Sequence, residues 1–88
     1  PLKFEILSTY PNPFNSNLKV KFRLNLPGRV SVLLFDMNGR LLRGSINRFY
    51  NRGDHLYDMQ FQDYSSGIYI IKVKSLNISI EKKVTLIK

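Results

Sequence analysis

The residues best equipped for chemistry are few, and their spacing does not assemble a reaction. His55 is the one histidine in the chain. Nucleophilic catalysis would need it held by a carboxylate beside a nucleophile. Instead, His55, Tyr57, Met59 and Phe61 alternate with Leu56, Asp58 and Gln60, which is the pattern of a packed strand residue. Asp36, Asn38 and Asp63 are oxygen donors of the kind calcium takes, but a calcium loop needs several carboxylates converging. Asp36 and Asn38 flank a tight turn instead, where these residue types serve turn geometry. Cysteine is absent, which excludes a disulfide and a thiolate metal site. There is no glycine-rich phosphate loop, zinc spacing or carboxylate pair, and six acidic residues scattered among turns and strand faces offer little to acid–base chemistry. The chain therefore reads as non-catalytic, with no metal and no cofactor.

The basic residues carry the stronger signal. Fourteen lysines and arginines against six acids give a net charge of +8, which favours an anionic partner. Lys19, Lys21 and Arg23 line one strand face, and Lys72 and Lys74 line another, forming a candidate basic surface. Sheets that read single-stranded nucleic acid interleave exposed aromatics with such charges so that bases can stack. Here the tyrosines and phenylalanines fall mostly in phase with apolar residues, which argues against nucleic acid. A solvated face that blocks edge-to-edge aggregation, an anionic lipopolysaccharide surface and an acidic protein partner remain.

The elements that must position these residues are strands. At 88 residues the chain has room for one domain with a thin stability margin. Leu18, Val20, Phe22 and Leu24 alternate with Lys19, Lys21 and Arg23, giving one buried and one wet face. After the Pro27-Gly28 turn, Val30 to Phe35 is a nearly continuous apolar run, expected as a central strand covered on both sides. Asn38-Gly39 supplies the positive φ angles of a tight hairpin. Arg40 to Ile46 reads as a weaker strand interrupted by Gly44, and Asn47 to Gly53 as a polar connection. Ile68 to Val73 is the most β-prone segment, and the last strand spans Ile78 to Ile87. With Lys3 to Ser8 as the first, the count is about seven strands. No segment has a helical period, so two stacked antiparallel sheets are expected. No apolar run approaches a membrane span. The chain opens on Pro1-Leu2-Lys3 without an initiator methionine, and reads as a piece excised from a longer parent.

One segment goes beyond pattern. Tyr10-Pro11-Asn12-Pro13-Phe14-Asn15 resembles the opening motif of the C-terminal sorting domains that exported proteins of the Bacteroidetes carry for type IX secretion. Further pieces follow in the same order: Leu26-Pro27, Val30-Ser31-Val32, Phe35-Asp36-Met37-Asn38-Gly39-Arg40, Gly53-Asp54-His55, Ser65-Ser66-Gly67-Ile68-Tyr69 and Lys82-Lys83-Val84. Ser16-Asn17 departs from the Pro-x-Thr with which many members continue. The resemblance implies an all-β, immunoglobulin-like antiparallel sandwich. It implies that residues 1–88 form a single sorting domain taken from the C-terminus of a larger exported protein. It further implies an address read by the outer-membrane secretion machinery, with the covalently linked parent passing through the periplasm to be secreted or held at the cell surface. Carried over position by position, it makes Gly67, Tyr69, Lys83 and Val84 the candidate signal-bearing residues.

The same sandwich and motifs also resemble the immunoglobulin-like domain of flagellar hook-capping proteins, and a fold does not fix a function. The rival reading is a passive spacer or binding module, of carbohydrate-binding or hook-cap type. A carbohydrate binder presents exposed aromatics as a platform, and this chain has no tryptophan. Pro11, Pro13, Asn12 and Asn15 also have a purely structural role in holding a bend, with Phe14 as a core plug.

Overall fold

The computed structural model describes residues 4–11, 16–61, 63–75 and 78–88. Among these residues seven strands follow one another: β1 (Phe4–Tyr10), β2 (Asn17–Leu24), β3 (Gly28–Phe35), β4 (Leu41–Tyr50), β5 (Gly53–Gln60), β6 (Gly67–Ser75) and β7 (Ile78–Leu86). They form a three-stranded sheet in the order β1-β2-β5 and a four-stranded sheet in the order β4-β3-β6-β7. Every pairing is antiparallel. The expected all-β sandwich is therefore present. The expected role of Phe14, and the Leu76-Asn77 connection, lie outside the described residues.

The core follows from period two. Leu18, Val20, Phe22 and Leu24 of β2 are buried. Val30, Val32 and Leu34 of β3 and Tyr69, Ile71 and Val73 of β6 meet them from the other sheet, and all six are buried. Alternate residues point to opposite faces of a strand, so one register buries every apolar side chain of β2 and leaves its cations outside. The two buried serines are satisfied: the Ser31 hydroxyl accepts from the Asn47 amide at 3.0 Å, and the Ser75 hydroxyl donates to the Arg29 carbonyl at 2.8 Å.

Four expectations need correction. First, β4 does not end at Ile46 with a polar connection after it; it runs to Tyr50. The ladder shifts register between Val30 and Val32, and Asn47 takes φ 52°. Ile46 and Asn47 thus oppose Ser31 alone, which is a β-bulge that lets a polar stretch stay paired. Arg29 fastens it, its guanidinium donating to the Asn47 carbonyl at 2.9 Å.

Second, the β3–β4 hairpin is not a two-residue Asn-Gly turn. The Gly39 amide donates to the Asp36 carbonyl at 3.1 Å, and Gly39 alone of the pair has positive φ, at 82°. A type I turn followed by a left-handed glycine makes a three-residue loop. The Asp36 carboxylate fixes it by accepting from the Asn38 and Arg40 amides, both at 2.9 Å.

Third, β3 is central in its sheet but not covered twice. Val30, Val32 and Leu34 are fully buried, whereas Leu33 and Phe35 on the other face are only half-buried. Fourth, β1 runs on past Ser8 to Tyr10; Lys3 lies outside the described residues.

Gly44 marks a close approach. A Cβ there would sit against the Val32 carbonyl oxygen and 2.9 Å from the Leu33 Cδ2. Gly44→Ala should therefore cost about 1–3 kcal/mol, because backbone must move to admit it. Gly28→Ala is the control: nothing lies within 4 Å of its Cβ position, and the change should stay within about 0.5 kcal/mol. Urea midpoints of the two variants test the contrast. Equal midpoints would remove the close approach from the account.

Candidate functional site

The four candidate signal residues come together on the β6–β7 hairpin. Tyr69 is the direct partner of Val84, Gly67 faces Leu86, and Lys83 faces Ile70. They do not share a face. Tyr69 and Val84 point into the core at 7% and 0% exposure, so no external partner touches either without unfolding the sheet. Lys83 is exposed on the outer face. Gly67 opens β6, and a Cβ there would meet nothing within 4 Å.

Tyr69 has a specific structural task. Its hydroxyl donates to the Ser65 carbonyl at 2.6 Å. A tyrosine near the start of this strand, bonded back to backbone a few residues upstream, is the tyrosine corner of immunoglobulin-like sandwiches. Its ring packs against Phe61 at 5.8 Å and Tyr64 at 6.0 Å between centroids. Below it, the Lys88 amide donates to the Ser66 hydroxyl at 3.0 Å, tying the end of the described chain to the same loop. The sequence places tyrosines in phase with apolar residues without singling out Tyr69 as a corner. The Ser65-Ser66-Gly67-Ile68-Tyr69 spacing is the signal that reveals it.

β7 is one of the two edge strands of its sheet, β4 being the other. Lys82 stands in phase with Ile80 and Val84, the inward set, yet is exposed. A charge at an inward position of an edge strand prevents a second chain from pairing there.

The candidate basic surface divides between the two outer faces. On the three-stranded sheet, Lys19 pairs with Asp58 at 3.2 Å and Arg23 with Asp54 at 2.7 Å, with Glu5 3.8 Å from Arg23. The β2–β5 register sets Lys19 opposite Asp58 and Arg23 opposite Asp54. The hydrogen bond from Arg23 holds the Asp54 carboxyl below its ordinary value, and Asp54 in turn raises the Arg23 guanidinium. Lys19 and Arg23 are thus paired across the strands, while Lys21 between them stands opposite Leu56 with no carboxylate within 4 Å among the described residues. On the four-stranded sheet, Lys72 lies 3.9 Å from Glu81, and Lys74 has no carboxylate within 4 Å among the described residues.

His55 is half-buried against Phe22 and Tyr50, with centroids 5.6 and 4.9 Å away. Its Nε2 lies 2.6 Å from the Asn51 carbonyl. That bond and those rings give it a structural place. Burial raises the Tyr50 hydroxyl above its ordinary value. Among the described residues no three histidine, aspartate or glutamate side chains gather as a metal site, and no helix is long and apolar enough to cross a membrane. The large aromatics that stand exposed among them, Tyr10 and Phe49, sit on different sheets. They form no flat platform of the kind that stacks sugar rings.

These features define an immunoglobulin-like sandwich of two antiparallel sheets with a tyrosine corner at the start of β6. The chain belongs to the secretion system C-terminal sorting domain family, whose profile matches residues 8–88. Such a domain is a non-catalytic sorting signal for type IX secretion, and it marks proteins that are exported to the cell surface or released. It implies contact with the secretion machinery and attachment to a parent protein. No curated protein matches the chain. Among solved structures, a selenomethionine-labelled β-glucosidase from Kluyveromyces marxianus superposes with a TM-score of 0.67 at 13% identity. The match covers 100% of this chain and 14% of that one. At that identity the likeness is one of fold alone.

Proposed function

We propose that the secretion machinery reads this domain folded, from the outer face of the β6–β7 hairpin, with Lys83 as the residue it contacts. Gly67, Tyr69 and Val84 act from behind by holding that hairpin in shape. Any catalytic activity belongs to the parent from which the domain is taken. The observation that supports this reading is the division on β7: Lys83 is exposed while its neighbour Val84 is fully buried. A charge on a strand's outer face adds little to the core and is free to meet a partner.

Lys83→Ala in the domain fused to a reporter should leave the unfolding free energy from urea titration within about 0.5 kcal/mol of the parent value. Most of the reporter should then remain in the periplasm. Normal surface delivery would overturn the proposal. Removing Val84 to Lys88 is a poorer test, because it also deletes the buried Val84 and Leu86 and confuses loss of signal with loss of fold.

A further inference from the structure

The outer face of the four-stranded sheet is unlike its counterpart on the three-stranded sheet. Leu41 of β4 is 50% exposed, Ile46 68% and Phe49 54%. With Leu33, Leu41 and Ile46 line a groove of about 480 Å³, bounded also by Arg29, Asn47 and Lys74. Two backbone features make the hollow. Gly44 has no side chain, so Leu33 lies against bare backbone, and the bulge at Asn47 bends β4.

The electrostatics are one-sided. Arg29 is held in place by its bond to the Asn47 carbonyl and has further donors to offer. Lys74 has no carboxylate within 4 Å among the described residues. Glu81, the acidic residue of this sheet's strands, is on β7 and already faces Lys72. An occupant must therefore bring its own negative charge and an apolar group.

We infer that this groove docks an extended acidic polypeptide segment of a partner protein, whose carboxylates meet Arg29 and Lys74 while an apolar side chain enters beside Leu33, Leu41 and Ile46. A second copy of the chain does not fit, because it would bring the same cations and a net charge of +8. An extended segment does. Ser31 is level with Lys74, so Arg29 and Lys74 are diagonal neighbours on adjacent strands. Their Cα atoms are then about 7–8 Å apart, close to the roughly 6.7 Å between same-side residues of an extended chain. The inference builds on the sorting reading only in placing such a segment on the export machinery. Its test measures binding, not export, so its failure would leave the Lys83 proposal standing, and the reverse.

The test uses the isotope-labelled 88-residue chain and a capped seven-residue peptide. The peptide carries glutamate at its first and third positions, leucine at its fifth and seventh, and serine between. Amide shifts should concentrate at Ser31, Leu33, Ile46 and Asn47. The affinity should fall about ten-fold in a variant carrying Arg29→Gln and Lys74→Gln whose amide spectrum is otherwise preserved, and by a similar factor on raising the salt. A peptide with lysine in place of glutamate should not bind. Shifts spread evenly over both sheets, an affinity indifferent to the two substitutions, or self-association through this face would overturn the inference. So would a preference for phosphatidylglycerol vesicles over the acidic peptide, which would make the groove a lipid site.

Discussion

Phe22→Ala should remove about 3–5 kcal/mol of stability, the largest loss expected of any single core truncation on β2. Phe22 is fully buried at the middle of β2, the central strand of its sheet. It meets the Tyr50 ring edge-on at a centroid distance of 5.1 Å and lies 5.6 Å from His55. The substitution loses the transfer free energy of a phenyl group and leaves a void that both neighbours border. A domain of this size has about 4–13 kcal/mol in total, and no disulfide limits its unfolded state. The same loss that a large enzyme tolerates is here a large part of the whole. Urea unfolding should show a lower midpoint with an unchanged slope. Phe22→Leu, which keeps most of the volume, should retain the fold. A loss below about 1 kcal/mol for the alanine variant would mean that the two sheets do not close on this side chain as described.

Sequence pattern captured the strands whose two faces differ and missed those whose faces do not. β2 announces itself because every apolar residue alternates with a cation, and only one register can bury one set and wet the other. β6 does so through β-branched and aromatic density. β4 has no such contrast. Leu41, Ile46 and Phe49 stand exposed beside Arg43 and Arg48, Gly44 weakens the pattern, and the bulge at Asn47 shifts its phase. A stretch that pairs correctly but buries little looks like a loop from sequence, so Phe49 went unrecognised as an exposed aromatic. Pairing was equally hidden. That Lys19 and Arg23 face Asp58 and Asp54 depends on β2 and β5 being neighbours, and no local spacing states which strands adjoin. For the candidate signal residues, resemblance chose four positions, and topology placed them on one hairpin. Only the inside–outside alternation of β6 and β7 divides them, with Tyr69 and Val84 buried in the core and Lys83 exposed on the outer face.

That division makes Tyr69 the position where a structural role and a recognised one give opposite results. Tyr69→Ala should cost about 3–5 kcal/mol, since it empties a buried ring site beside Phe61 and Tyr64. Export of a fused reporter should fail with it. The informative change is Tyr69→Phe. It keeps the ring and deletes the hydroxyl that donates to the Ser65 carbonyl. Ser65 is exposed, so water can replace the donor, and the expected loss is about 1 kcal/mol. For an 88-residue domain that is a drop of roughly 4–8 °C in Tm, with export close to the parent level at temperatures below the new midpoint. Export that follows the folded fraction across both variants would make the tyrosine a brace for the hairpin. A phenylalanine variant that stays folded yet is not delivered would mean that the hydroxyl itself is read. The hairpin would then have to open before recognition, because only a separated β6 exposes a side chain that the closed sandwich keeps 7% accessible.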